Sequence, residues 1–233
     1  MRALTLDGRL SSVGKFVRRG AVLADIGTDH GYLPLFLLRE GAISFAHLAD
    51  INVGPLASAE GNARELGMHH LCSFHLTDGA AALAGLGITD YSIAGMGGEL
   101  IVKIIEEAKH LEDGGVRLIL QPMSREHLVR GYLARVGFAV VGEEYSLSAG
   151  RYYLTLAAEY TGIPYEIDPP RAYFGTLCDA TELTGPALGY LRTKTRALRR
   201  ALEGLREGGK DCALESMLYE CASEILKRNG EEL

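Results

Sequence analysis

Residues Asp25-Ile26-Gly27-Thr28-Asp29-His30-Gly31-Tyr32 follow an apolar, strand-like run from Ala21 to Ala24 and lead into an apolar, helix-like one from Leu33 to Leu38. A strand, a glycine-bearing turn and a helix in that order form the first connection of a nucleotide-binding α/β domain, where glycine lets a ligand touch the backbone. Two glycines four residues apart also occur in turns with no ligand, so the turn acquires meaning only from what surrounds it.

Asp29 narrows the choice of ligand. A dinucleotide site requires glycine at that place, because pyrophosphate rests on the turn and a carboxylate there repels it at short range. S-adenosylmethionine (SAM) has no phosphate and carries a sulfonium cation, so an acid in the turn is compatible with it and can face the reacting centre.

The rest of the chain alternates in the same way. Apolar β-leaning runs at Ser44–Ala49, Cys72–Leu76, Tyr91–Ala94 and Val116–Leu120 are interleaved with helical patterns at 33–40, 55–66, 99–110 and 124–136. That alternation predicts a parallel sheet with helices on both faces. Two final strand-like runs, Phe138–Tyr145 and Arg151–Ala158, flank a short turn at Ser148-Ala149-Gly150. A closing hairpin on a parallel sheet is a feature of class I SAM-dependent methyltransferases, whereas typical dinucleotide-binding domains lack it. An amphipathic helix over 7–18, with Leu10, Val13, Phe16 and Val17 on one side, precedes the first strand and is placed to cover the sheet or the ligand pocket.

Past Thr161-Gly162-Ile163-Pro164 the β-branched runs stop and Asp168-Pro169-Pro170 interrupts the chain, so a domain boundary is expected near residue 162. Residues 186–206 and 210–228 then read as two helices joined by Glu207-Gly208-Gly209. Leu188, Leu191, Leu198 and Leu202 on the first and Leu214, Met217, Leu218 and Ile225 on the second predict an antiparallel hairpin of coiled-coil character. The expected division is 1–162 for a Rossmann-like methyltransferase domain and 163–233 for a C-terminal helical domain. A monomer is the default expectation, and the leucines of these helices mark where a homodimer would form.

With 30 acidic against 24 basic residues, the formal charge of −6 offers no general attraction to a polyanion. The exception is local: Arg192, Lys194, Arg196, Arg199, Arg200, Arg206 and Lys210 stand against Glu203 and Glu207 alone, a stripe suited to phosphate contacts. A solvated helix face is the competing reading. The four cysteines lie far apart without Cys-x-x-Cys spacing, and His69-His70 has no ligating neighbours, so neither a metal site nor a disulfide framework is expected. No apolar run approaches the ~20 residues a membrane span needs, which points to a cytoplasmic protein.

Three acids close three successive strands. Asp25 is suited to accept from turn amides or from the amino group of a methionine moiety, and Asp50, in Asp50-Ile51-Asn52, stands where an acid takes both ribose hydroxyls. Asp78, followed by Gly79, is placed for an exocyclic amine. Gly95-Met96-Gly97-Gly98 ends the fourth strand and lets backbone and ligand approach closely. It lacks the acid-or-amide, two-proline, aromatic clamp common in enzymes that methylate the exocyclic amine of adenine. Gln121-Pro122 after the fifth strand is a candidate for base-edge contacts, His30 for a hydrogen bond and Tyr32 for stacking, although turn, capping and packing roles compete for each.

These segments together, from Leu10 through Asp25-Ile-Gly-Thr-Asp-His-Gly-Tyr-Leu-Pro34, Ala49-Asp-Ile-Asn52, Gly54-Pro-Leu56, Thr77-Asp-Gly79, Ile93-Ala-Gly-Met-Gly-Gly98 and Leu118-Ile-Leu-Gln-Pro122, resemble the bacterial TrmK family. The resemblance spans about residues 5–160. It departs at Met123, where asparagine is expected, and at Thr77, where glycine is usual. It implies SAM-dependent methylation of N1 of the adenosine at position 22 of tRNA, with a C-terminal helical domain. It further implies cofactor contacts at Asp25, Gly27, Asp50, Asp78 and Met96, joined by their neighbours Thr28, Gly31, Ile51, Asn52, Gly79 and Gly95, and a catalytic role for Asp29. His30, Tyr32, Gly97, Gln121 and Pro122, with Arg192, Arg196, Arg199 and Arg200 on the helices, are the expected substrate contacts. The alternatives are a small-molecule SAM-dependent methyltransferase and a non-catalytic protein that binds SAM or RNA.

Overall fold

The Ala21–Ile26 run is apolar except for Asp25 and almost entirely buried, which suits a central strand covered on both faces. In the computed structural model, which describes residues 4–231, it is β1, at the middle of a seven-stranded sheet of order β3-β2-β1-β4-β5-β7-β6. Its parallel neighbours are β2 (Ile43–Asp50) and β4 (Asp90–Gly97), with β3 (Cys72–Leu76) and β5 (Arg117–Ser124) outside them. The hairpin of β6 (Phe138–Ser148) and β7 (Arg151–Tyr160) inserts β7 antiparallel to β5.

Parallel strands need crossovers, and helices α2 (Tyr32–Arg39), α3 (Val53–Glu65), α4 (Gly98–Glu107) and α5 (Glu126–Val136) supply all but the one from β3 to β4, which carries only a short 3-10 turn at Ala81–Leu83. The result is a class I methyltransferase fold. Two cores form on opposite faces of the sheet, one around Leu23, Leu35, Leu48 and Val13, the other around Ile93, Ile101, Ile105, Leu133 and Leu156. Because β1 to β5 run in one direction, their carboxyl ends share one edge, and the break in strand order between β1 and β4 opens a crevice there.

Helix α1 (Gly8–Phe16) starts at Asp7, whose carboxylate accepts from Leu10 N at 2.7 Å. It packs on β6, β7, β5 and α2, which brings its first turn to the crevice.

The C-terminal part contains an element the sequence does not announce as such. Asp168 is the N-cap of a short helix, α6 (Pro169–Phe174), accepting from Arg171 N at 2.7 Å. The prolines that read as an interruption occupy the first helical positions, where their missing N–H groups cost nothing. Helices α7 (Gly185–Glu207) and α8 (Ala213–Arg228) form the expected antiparallel hairpin. Its base is continuous with the sheet's core: Ala187, Tyr190, Leu191, Leu218, Ala222 and Ile225 pack in the same cluster as Leu154, Tyr145 and Phe174. Leu202, Leu218 and Leu226 are buried within the chain itself, which removes them from the expected dimer face, while Leu214 and Met217, expected on the packed side, are exposed.

A buried ion pair within the first part anchors the second through bonds to Ala172 and Thr176. Arg130 on α5 donates from Nε to Glu143 Oε1 at 2.6 Å, and its Nη1 reaches the carbonyl of Ala172 at 2.9 Å. Glu143 also accepts from the amide and hydroxyl of Thr176 at 3.0 and 2.9 Å. Burial pushes the Glu143 carboxyl up, but the guanidinium and the Thr176 donors outweigh it and hold the carboxyl below the usual glutamate range.

No helix among the described residues is long and apolar enough to cross a membrane. All four cysteines are free thiols, and no group of three or more potential ligands is gathered for a metal among those residues.

Candidate active site

The crevice at the end of β1 is a cleft of about 390 Å³, lined by Asp7, Arg9 and Leu10 of the first turn of α1 with its cap, by Asp25, Gly27, Thr28 and Asp29, and by Tyr32 and Ala94. Gly27 sits at φ +74°, a backbone conformation that other residues rarely adopt, and a Cβ there would have to displace the end of the Met96 side chain, 2.3 Å away. Gly31 begins α2 as its N-cap, and Thr28 is buried.

Asp25 lies at the floor, 7 % exposed. Its Oδ1 accepts from Ser92 Oγ at 2.5 Å and its Oδ2 from Thr28 Oγ1 at 2.8 Å. The Ser92 contact follows from register, because β1 and β4 pair Asp25 with Ser92. Burial pushes the Asp25 carboxyl up; the two hydroxyls and the charge of Arg9 offset only part of that push. A buried acid that resists ionisation is relieved by a cation placed against it, which is what the amino group of a methionine moiety supplies.

Binding of that cation therefore selects the ionised carboxylate, and acid must compete with it. The affinity for SAM is expected to be full above the raised Asp25 pKa and to fall as pH drops through it, so that calorimetry over a pH range descending to ~4 sees weakening before an ordinary aspartate would titrate. An affinity flat over that range contradicts the role given to Asp25.

Asp29 differs in every respect. Its side chain is 72 % exposed, and its backbone holds φ +51°, a left-handed conformation uncommon outside glycine, asparagine and aspartate. His30 Nε2 lies 3.6 Å from Asp29 Oδ1, and the His30 and Tyr32 rings are 5.3 Å apart. Tyr32 is exposed rather than packed. Asp29, His30 and Tyr32 thus form one polar and aromatic rim above the buried Asp25.

The second and third acids take the edge beyond β1. Asp50 ends β2, where its Oδ1 accepts from Asn52 N at 2.8 Å, and Ile51 and Asn52 are exposed beside it. Asp78 and Gly79 lie in the exposed connection after β3, tied to β2 through Thr77 N to Asp50 O at 3.0 Å.

On the other side β4 runs further than its apolar run suggests, to Gly97, with register shifts against β5 at Ala94/Met96 and Met96/Gly97. The bulged strand turns Gly95 to the rim, and Gly97 becomes the N-cap of α4.

Gln121 and Pro122 require a correction. Both are buried, and the Gln121 amide is fully engaged: Oε1 accepts from Gly95 N and from Arg9 Nη1, each at 3.0 Å, while Nε2 donates to the Pro122 carbonyl at 3.1 Å. Gln121 holds the rim in place instead of presenting an edge to a base, and Met123 is the exposed residue there. The residue missed in the sequence is Arg9; its signal is only that it adjoins Leu10 on a helix placed to cover the pocket.

The basic stripe is divided. Lys194 Nζ donates to both carboxylate oxygens of the buried Glu126 at 2.7 Å, a tether of α7 to α5 with no part in an outward face. Arg192 donates to Glu231, through Nε at 2.8 Å, and Arg199 lies 3.6 Å from Glu203. Arg192, Arg196 and Arg199 border a groove of about 270 Å³ between α7 and α8, floored by Thr195 and Tyr219, and Arg200 is exposed next to Arg199.

Comparison with known proteins agrees with this architecture. Residues 6–156 match the family described as a methyltransferase domain. The tRNA (adenine(22)-N(1))-methyltransferase of Bacillus subtilis (strain 168) is 35 % identical over 188 residues, which cover 81 % of this chain and 76 % of that one. Among solved structures, Sp1610 of Streptococcus pneumoniae in complex with S-adenosyl-L-methionine superposes with a TM-score of 0.81 at 31 % identity, over 94 % of this chain and 98 % of that one. The B. subtilis M1A22 tRNA methyltransferase TrmK superposes with a TM-score of 0.80 at 29 % identity, over 97 % and 98 % of the two chains. From the open crevice at the end of β1, the closing β6–β7 hairpin and these matches, the chain belongs to the methyltransferase-domain family and, within it, to the tRNA (adenine(22)-N(1))-methyltransferases.

Proposed function

We propose that the chain transfers a methyl group from SAM to N1 of the adenosine at position 22 of tRNA, acting in the cytoplasm. The observation that carries the reading is the pair of acids on one turn, Asp25 buried under Ser92 and Thr28 and Asp29 exposed above it. One suits the cationic end of the cofactor and the other a substrate base.

The residues present fit SAM. The bare backbone at Gly27 gives it a place to lie, Asp25 an anion for its amino group, and Asp50 and Asp78 acceptors for ribose and adenine, with Thr28, Ile51, Asn52, Gly79, Gly95 and Met96 beside them; Gly31, expected among these, is instead buried, where a Cβ would meet Leu48 and Ala59, and serves the packing of α2. When bound, SAM supplies a methyl group on a sulfonium, open to in-line attack.

Methylation leaves positive charge spread over N1 and N6 of the target adenine. Asp29 accepts a hydrogen bond from N6 and stabilises that charge as it forms, while Tyr32, His30 and Gly97 receive the flipped base. Most of the acceleration comes from holding the two reactants in line. Residues 1–162 form the catalytic unit, and residues 163–233 the appendage that grips the tRNA backbone through Arg192, Arg196, Arg199 and Arg200.

Incubation with labelled SAM and total tRNA is expected to transfer label to the RNA, and SAM binding without transfer contradicts the reading. Charge reversal at Arg196, Arg199 and Arg200 together weakens tRNA binding by at least about tenfold and flattens its salt dependence by roughly 0.7–0.9 in log–log slope for each phosphate no longer neutralised. An unaltered slope excludes this face.

A further inference from the structure

Arg192, Arg196 and Arg199 follow one another at steps of four and three along α7, with Thr195 beside them, so they share the helix face turned to α8. Across from them Tyr219 and Leu226, seven residues apart on α8, close a groove of about 270 Å³. Thr195 and Leu226 are buried at its floor, and Tyr219 is half-buried. The Thr195 hydroxyl donates back to the Leu191 carbonyl at 2.9 Å, so its proton is not offered to the groove.

The three arginines are not equivalent. Arg192 is held to Glu231 through Nε at 2.8 Å, and Arg199 lies 3.6 Å from Glu203, an exposed pair that costs little to break. Arg196 makes no hydrogen bond or ion pair among the described residues, so its donors are unspent. In a chain of formal charge −6, this gathering of cations is local. Duplex phosphates are reached by exposed arginines alone and need neither a recess nor a ring. A recessed aromatic ring flanked by guanidiniums matches a single unpaired nucleotide, whose base lies flat on the ring while its phosphate meets the cations. The loops of a folded tRNA supply such nucleotides, and its stems do not.

We propose that the groove between α7 and α8 receives one unpaired nucleotide of the tRNA, with the base stacked on Tyr219 and the adjoining phosphate on Arg196 and Arg199. The inference rests on the tRNA reading above and adds to it a site that tells looped RNA from duplex.

Tyr219→Ala is expected to weaken tRNA binding by the full chain at least about fivefold without altering its salt slope, because a ring neutralises no phosphate, and Tyr219→Phe, which keeps the ring, restores the affinity. Arg196→Gln instead flattens the log–log slope by about 0.7. The chain contains no tryptophan, so Tyr219→Trp places a single fluorophore in the groove. Its emission is expected to be quenched by tRNA and by a short single-stranded oligoribonucleotide, and to be unchanged by a blunt-ended RNA duplex. Equal quenching by the duplex, or none by the single strand, overturns the proposal. So does equal quenching by a polyglutamate peptide, which assigns the groove to an acidic protein segment, or quenching that grows with protein concentration without RNA, which assigns it to a second copy. SAM affinity of Tyr219→Ala reports whether that variant is folded; where it is not, the fluorescence decides alone. A folded Tyr219→Ala protein that binds tRNA within about twofold of wild type keeps the tRNA reading and removes the groove from it, whereas a wild-type protein that binds no tRNA overturns both.

Discussion

Asp29→Ala is expected to lower methyl transfer to tRNA by about 100-fold or more while changing SAM affinity by less than about threefold. The split follows from position. Asp25 is buried against two hydroxyls at the floor of the cleft, while Asp29 is exposed on the rim and bonds no cofactor-facing donor. A group that meets the substrate as charge develops contributes to the transition state and little to the ground state. Asp29→Asn keeps an acceptor without the charge and falls between the two. The conformation at Asp29, φ +51°, is one that asparagine tolerates well, so this variant tests charge with little change in backbone strain. Turnover within twofold of wild type in Asp29→Ala, measured with saturating SAM, removes Asp29 from catalysis.

The second large effect concerns stability. Glu143→Ala leaves Arg130 charged and buried without its partner, strips the amide and hydroxyl of Thr176 of their acceptor, and leaves the Tyr145 hydroxyl with the Phe174 carbonyl alone. Breaking such a pair from one side costs about 3–5 kcal/mol. For a chain of this length, that corresponds to a drop of roughly 6–20 °C in Tm by calorimetry. Replacing both partners with apolar side chains of similar volume is expected to recover much of the loss, because the desolvation of two charges disappears with them. The pH dependence has a definite sign. The folded-state pKa of Glu143 lies below its unfolded value, so the pair's contribution is complete at neutral pH and is lost as pH falls through the folded value. A melting temperature unchanged by Glu143→Ala contradicts the view that this pair clamps α6 and the turn after it to the sheet.

The elements that are legible in the sequence are those whose ends carry local signals. Ala21–Ile26 and Cys72–Leu76 have the bounds their apolar runs suggest, because flanking polar and glycine residues end them sharply. Residues that depend on another strand are less legible. The extension of β4 to Gly97 is set by pairing with β5 as far as Ser124, and nothing local in Gly95-Met96-Gly97 favours a strand. The short helix α6 has a readable signal, an aspartate cap followed by prolines at its first positions, that competes with the turn reading of the same residues.

The candidate site divides along the same line. Asp25, Gly27 and Asp29 lie on one contiguous turn, and a turn is local. Gln121 has one orientation only because Arg9, 112 residues away, and Gly95 converge on its oxygen, an arrangement that exists only once α1, β4 and β5 have packed. Lys194 reads as part of an outward stripe until α5 places Glu126 beneath it.

The central claim is that this chain methylates one position of one kind of RNA, and the direct test is to locate the product. A tRNA with adenosine at position 22, incubated with the protein and labelled SAM, digested and mapped by mass spectrometry, is expected to carry the new methyl group on N1 of that adenosine. A transcript with guanosine at position 22 is expected to remain unlabelled. Label at another nucleotide, on N6, or equally in both transcripts contradicts the account.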